Sequence, residues 1–175
     1  QQNGDDLNGD HADAQGLFPK PQTEQSADGY ATVSGTGGTI AEALENINAK
    51  TGWYPKLIFC RILILGETLT NGDVFEALDY FLLNEYTADD CFLCACDGKA
   101  SDILSAKTPL GSTPSLSLEK LFSAQAMRVG ATMPTTLREF ADGYFSAGKS
   151  GMMPIVKKQT ETAGDVFDAG QTALF

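Results

Sequence analysis

The sequence predicts an α/β fold, on the α+β borderline, with a mixed central β-sheet flanked by helices. Two observations carry this prediction. Leu57–Leu65 and Cys91–Cys96 are short runs that are apolar on both faces, as strands covered on both sides require. Stretches with apolar residues at helical spacing follow Thr39, Asp73 and Thr136, and each of these has a Glu three positions on. That pairing is the capping box of a helix start.

Taken in order, residues 1–16 are polar and acidic and predict a solvated tail or arm. Through Tyr30, six acidic residues stand against Lys20, a net charge of -5. Tyr30–Ser34 is rich in β-formers and predicts a strand. Gly35-Thr36-Gly37-Gly38 follows as a turn, then a helix with Ile40, Ala43, Leu44 and Ile47 on one face and Gly52 as its stop. Leu57–Leu65 is expected as an inner strand ended by Gly66-Glu67. The helix after Asp73 buries Val74, Ala77, Leu78, Phe81 and Leu82. Cys91–Cys96 is the second expected inner strand, closed by Asp97-Gly98, with a short helix near Ser101.

The second half reads as more helical. Leu118, Leu121, Phe122 and Ala126 mark a helix ended by Gly130. Leu137, Phe140, Ala141 and Tyr144 mark another, and Pro154–Lys157 a short strand. The expected core takes Ile40, Leu44 and Ile47 from the first helix, Leu78, Phe81 and Leu82 from the second, Ile62 and Ile64 from the first inner strand, and Phe122 and Phe140. Residues 17–160 are expected to form the main domain. Residues 161–175 are expected to begin a following segment, because the chain ends abruptly on apolar residues. The opening residues read as a cut start, so a lipid-anchor Cys upstream would fall outside this chain.

With 175 residues, the chain fits one domain or one domain plus a piece of another. Its net charge is -11, from 23 acidic and 12 basic residues. Nucleic-acid binding needs a basic footprint, so this balance argues against it. The same balance argues against direct adhesion to anionic lipid. No apolar run reaches the length of about 18 residues that a membrane-spanning helix needs.

Residues that could carry chemistry are few. Cys91-x-x-Cys94-x-Cys96 lacks the further soft ligands of a zinc site, and His11 is the only His. On a strand, Cys94 and Cys96 share one face and Cys91 takes the other. Buried cysteines acting as small hydrophobes are the favoured reading. If the two inner strands pair, Cys60 could lie near one of them, which allows a disulfide without requiring one. Gly35-x-Gly37-Gly38 sits where phosphate loops sit, but Ile40 takes the place of the third fingerprint Gly and no Walker Lys follows. Gly148-x-Ser150 lacks the closing Gly of a nucleophile elbow, since Met152 stands there. Asp89, Asp90 and Glu67 lie near element ends, where acidic residues are common. Arg61 interrupts an apolar strand; pairing with a nearby acid is favoured over a partner-facing role. No catalytic residue, cofactor or metal is predicted.

Several stretches resemble one family. They are Thr39-Ile-Ala-Glu-Ala-Leu44; Phe59–Glu67 followed by Asp73–Leu83; Cys91–Leu104 with its Gly-Lys-Ala-Ser-Asp-Ile-Leu end; and Thr136–Phe140 with Met153-Pro-Ile155 and Gly170–Phe175. In order and spacing over about residues 39–175 they resemble the N-terminal domain of the C subunit of spore germinant receptors, the Ger(x)C lipoproteins. The resemblance implies a non-enzymatic subunit with no cofactor. It implies lipid anchoring on the outer face of the spore inner membrane, and partnership with the membrane-embedded A and B receptor subunits in nutrient-triggered germination. The candidate interaction surface, from the residues alone, is the strand end with Arg61, Gly66 and Glu67. The alternatives are a soluble small-ligand-binding module and a thiol redox or metal protein built on Cys91, Cys94 and Cys96.

Overall fold

The computed structural model describes residues 12–19, 30–52, 54–109, 113–123, 130 and 132–175. The chain divides into two compact units, residues 1–16 with 33–55 and residues 17–32 with 56–175. Strands β1 (Ala12–Pro19) and β2 (Tyr30–Gly37) form a two-stranded sheet. The first part of β1, Ala12–Gly16, thus lies in the stretch expected to be a tail. His11 and the residues before it lie outside the described residues.

In the smaller unit, helix α1 (Ile40–Thr51) runs back over β2. Thr39 caps it by accepting the Glu42 N–H at 3.2 Å, and Gly52 ends it in the left-handed conformation, φ 71°. The Glu42 carboxylate reaches back to the N–H of Gly38 rather than that of Thr39. Gly35 and Gly37 have a packing role. A Cβ on Gly35 would stand 2.2 Å from the Ala43 carbonyl oxygen, and one on Gly37 2.6 Å from the Ala43 nitrogen. Both glycines lie within β2, directly beneath α1. They let helix and strand backbones approach rather than forming a phosphate-binding loop.

The larger unit is built on a five-stranded mixed sheet. Its strands are β3 (Ile62–Leu65), β4 (Phe92–Cys96), β5 (Thr135–Thr136), β6 (Met152–Glu161) and β7 (Gly164–Leu174). The order is β3-β4-β6-β7, with β5 pairing the first half of β4. β3, β4 and β6 run parallel; β7 is antiparallel to β6. The α/β expectation with a mixed sheet holds. β4 is central, as expected, but β3 is an edge strand. Residues 164–174 pair with β6 and complete this sheet instead of starting a new segment.

Alternation along β4 sorts its side chains between two cores. Cys91, Leu93 and Ala95 join Leu78, Leu137 and Phe140 on one face, beneath helices α3 (Val74–Leu83) and α6 (Leu137–Phe145). Cys94 and Cys96 join Ile103, Leu118 and Phe122 on the other, beneath α4 (Ala100–Leu104) and α5 (Pro114–Leu121). A four-residue helix, α2 (Glu67–Thr70), follows β3 directly. Of the expected core, Leu44, Ile47, Leu78, Phe122 and Phe140 are buried. Ile40, Ile62, Ile64, Phe81 and Leu82 are half-buried, the two isoleucines because β3 lies at the edge.

Two local features differ from the sequence reading. Leu57–Phe59 is a 3₁₀ turn, not the first half of a strand. The β3–β4 ladder starts at Ile62 opposite Phe92, so residues upstream have no strand beside them. Their backbone groups bond within the turn and to the segment leading into β4, with Leu57 O accepting the Cys60 N–H at 2.9 Å and the Ala88 N–H at 3.3 Å. The turn breaks the alternation and puts Cys60 on the Leu63/Leu65 side with Cys91. The helix expected through Ala126 ends at Leu121, and residues 124–129 lie outside the described residues.

Candidate functional site

Arg61, Gly66 and Glu67 flank β3 at its two ends. Four residues of strand span about 13 Å, so Arg61 stands at least that far from Gly66 and Glu67. The surface expected from the sequence thus has two ends, each with its own neighbours.

At the amino-terminal end of β3, the Arg61 guanidinium pairs with the Glu119 carboxylate on α5. That hydrogen bond, with the attraction of the same carboxylate, holds Arg61 firmly in its charged form. Arg61 therefore caps the sheet edge from outside rather than lying in the core. Beside it in sequence, Ile58 and Phe59 are 57% and 75% exposed because the 3₁₀ turn lifts them off the sheet. Arg138 pairs with Asp89 just before β4. Asp89 also accepts the Arg138 N–H through its backbone carbonyl, at 3.1 Å.

At the carboxyl ends of the parallel strands lies an open cleft of about 340 Å³. This is the place where open α/β sheets commonly take ligands. Glu67 enters from the start of α2, its N–H bonded to Gly98 O at 2.9 Å. Asn71, Asp97, Lys157 and Gln171 add polar groups, and Phe175 forms an apolar wall. The Lys157 ammonium sits 3.5 Å from the Asp97 carboxylate, so the cleft's cation is already partnered. A Cβ on Gly66 would meet Gly98 O at 3.5 Å, an ordinary contact, so this position has room for a small side chain.

The cysteines divide as the strand alternation requires. Cys91, Cys94 and Cys96 are buried and Cys60 is half-buried; all four are free thiols. Burial pushes the Cys94 thiol well up, and Cys96 is raised to about 11 by burial and by Asp102. Among the described residues, no three His, Cys, Asp or Glu side chains converge where a metal could sit. No described helix is long and apolar enough to cross a membrane.

No curated relative and no solved structure matches the chain. A family model does: the spore germination protein N-terminal domain matches residues 7–158. The match takes in β2, α1, both cysteine-bearing segments, α6 and most of β6. The chain therefore belongs to the spore germination protein N-terminal domain family, the N-terminal domain of the germinant-receptor C-subunit family, and its role lies in spore germination.

Proposed function

We propose that this chain is part of the non-enzymatic C subunit of a membrane-associated nutrient germinant receptor. It acts by protein–protein contact with the membrane-embedded A and B subunits, held at the outer face of the spore inner membrane by a lipid anchor. The family match over residues 7–158 carries this reading. The net charge of -11 supports contact with protein rather than with anionic lipid. The exposed Ile58 and Phe59 beside the charged Arg61 supply an apolar centre with a polar rim, the usual anatomy of a contact surface. The reading is tested in spores that lack the protein. Their response to at least one nutrient is lost, and restoring the gene restores it. Unchanged responses to every nutrient that triggers the parent spores would refute it.

The cleft favours a second reading, a small-ligand-binding module, because polar groups from α2, β4, β6 and β7 converge there. Chemical-shift changes confined to Asn71, Asp97 and Gln171 on adding a nutrient would establish it. Uniformly unchanged shifts would remove it.

A further inference from the structure

We propose that Cys60 and Cys91 form a thiol–disulfide site, which a low-molecular-weight disulfide oxidises to an intrachain bond. The two side chains pack in one core cluster, with Cys60 against the buried group that holds Cys91. The backbone fixes this proximity from both sides. Phe92 N–H bonds Arg61 O at 3.0 Å, which aligns the head of β4 with the residue after Cys60. Ala88 N–H bonds Leu57 O at 3.3 Å, which ties the 3₁₀ turn to the loop that delivers Cys91.

The pair is asymmetric in the way that thiol exchange requires. Cys60 is half-buried between the exposed Phe59 and Arg61, at the end of the 3₁₀ turn just ahead of edge strand β3, so a small oxidant can reach it. The neighbouring Cys91 thiol holds the Cys60 pKa below the ordinary thiol value, against the opposing pull of burial. Cys91 is buried, and its thiol is pushed far up by the neighbouring Cys60 thiol and by burial. Cys60 is thus the attacking thiolate. It displaces one half of the small disulfide as a thiolate, which takes up a proton, and forms a mixed disulfide. Capping Cys60 removes the negative charge facing Cys91. Cys91 then loses its proton and attacks the Cys60 sulfur, and the second small thiol leaves. Two protein thiols are oxidised and one small disulfide is reduced to two thiols. Cys94 and Cys96 lie on the opposite face of the sheet and take no part.

The product would tie the 3₁₀ turn to the head of β4 and close a loop containing β3, α2 and α3. It would fix the edge where Ile58, Phe59 and Arg61 are exposed.

The test uses the full chain, reduced and then incubated with oxidised glutathione, with remaining thiols alkylated before mass mapping. The expected product carries one Cys60–Cys91 bridged peptide and alkyl groups on Cys94 and Cys96, and dithiothreitol reverses it. Cys91→Ala is expected to stop at a glutathione adduct on Cys60, and Cys60→Ser to form neither adduct nor bridge. Four alkylated thiols after oxidation of the folded wild type, or a bridge to Cys94 or Cys96, would overturn the proposal. The wild-type map decides this even where a variant fails to fold.

Discussion

Replacing Gly151 with Ala places one methyl group against the ring of Phe140. The added Cβ would stand 2.4, 2.6 and 2.9 Å from three ring carbons. Ordinary carbon contacts are about 3.5–4.0 Å, so the overlap is about 1 Å. Neither side has room to give. Phe140 is 0% exposed, with Phe75 and Phe175 at ring-centroid distances of 5.8 and 6.3 Å. Gly151 is held by reciprocal backbone hydrogen bonds with Phe175, at 3.0 and 2.8 Å. Overpacking of this kind costs about 1–3 kcal/mol. For a chain of this size that lowers Tm by about 2–12 °C. Urea and thermal unfolding of Gly151→Ala against wild type measure it. Gly148→Ala is the control: its Cβ would meet only Ser146 Oγ at 3.7 Å, and its stability should stay within about 0.5 kcal/mol of wild type. A second substitution, Phe140→Leu, should recover part of the loss, because the two residues share one contact. Wild-type stability in Gly151→Ala would refute the packing of α6 onto the start of β6.

The remaining predictions concern other levels of the fold. Gly35→Ala should lift α1 off β2, since its Cβ would meet Ala43 O and Ile47 Cγ1 at 2.2 and 2.8 Å; faster amide hydrogen exchange throughout α1 is the readout, and unchanged exchange would count against the close approach. Thr136→Ala removes the hydroxyl that accepts the Glu139 N–H at 3.2 Å and should destabilise α6 by about 1 kcal/mol in urea unfolding. Asp165 has a depressed pKa because its carboxylate accepts the Lys107 N–H at 2.9 Å and the Thr160 hydroxyl at 2.8 Å. A depressed folded pKa contributes stability above the unfolded value, and that contribution is lost as pH falls through the folded value. Asp165→Asn should therefore flatten the acid limb of the stability curve, and an identical acid limb would contradict the assignment. Arg61→Ala should weaken receptor assembly in co-purification while the isolated chain still folds, since its pair with Glu119 is exposed and exposed pairs contribute little to stability.

Sequence was most informative where local chemistry and burial agree. Thr39, Gly52, Asp73 and Thr136 mark helix boundaries because caps act within a few residues of chain. Cys91–Cys96 discloses its two faces because β4 is covered on both. Leu57–Leu65 misleads because apolar composition does not show where a partner strand begins; the ladder at Ile62–Phe92 decides that. β7 escapes the reading for a related reason. It is an edge strand, with Asp168, Gly170, Gln171 and Thr172 exposed, so it has no apolar run to signal it. The pairing of Arg61 with Glu119 spans 58 residues of sequence, beyond the reach of local pattern. The cleft draws on four separated segments and leaves no mark on any one of them.

The central claim is that the protein acts through membrane-embedded partners. Its most direct test is recovery of the full-length protein from spore membranes, with and without cross-linking, and mass spectrometry of what accompanies it. The account predicts polytopic receptor subunits in stoichiometric amounts. Recovery of the protein without any membrane partner, even after cross-linking, would contradict it.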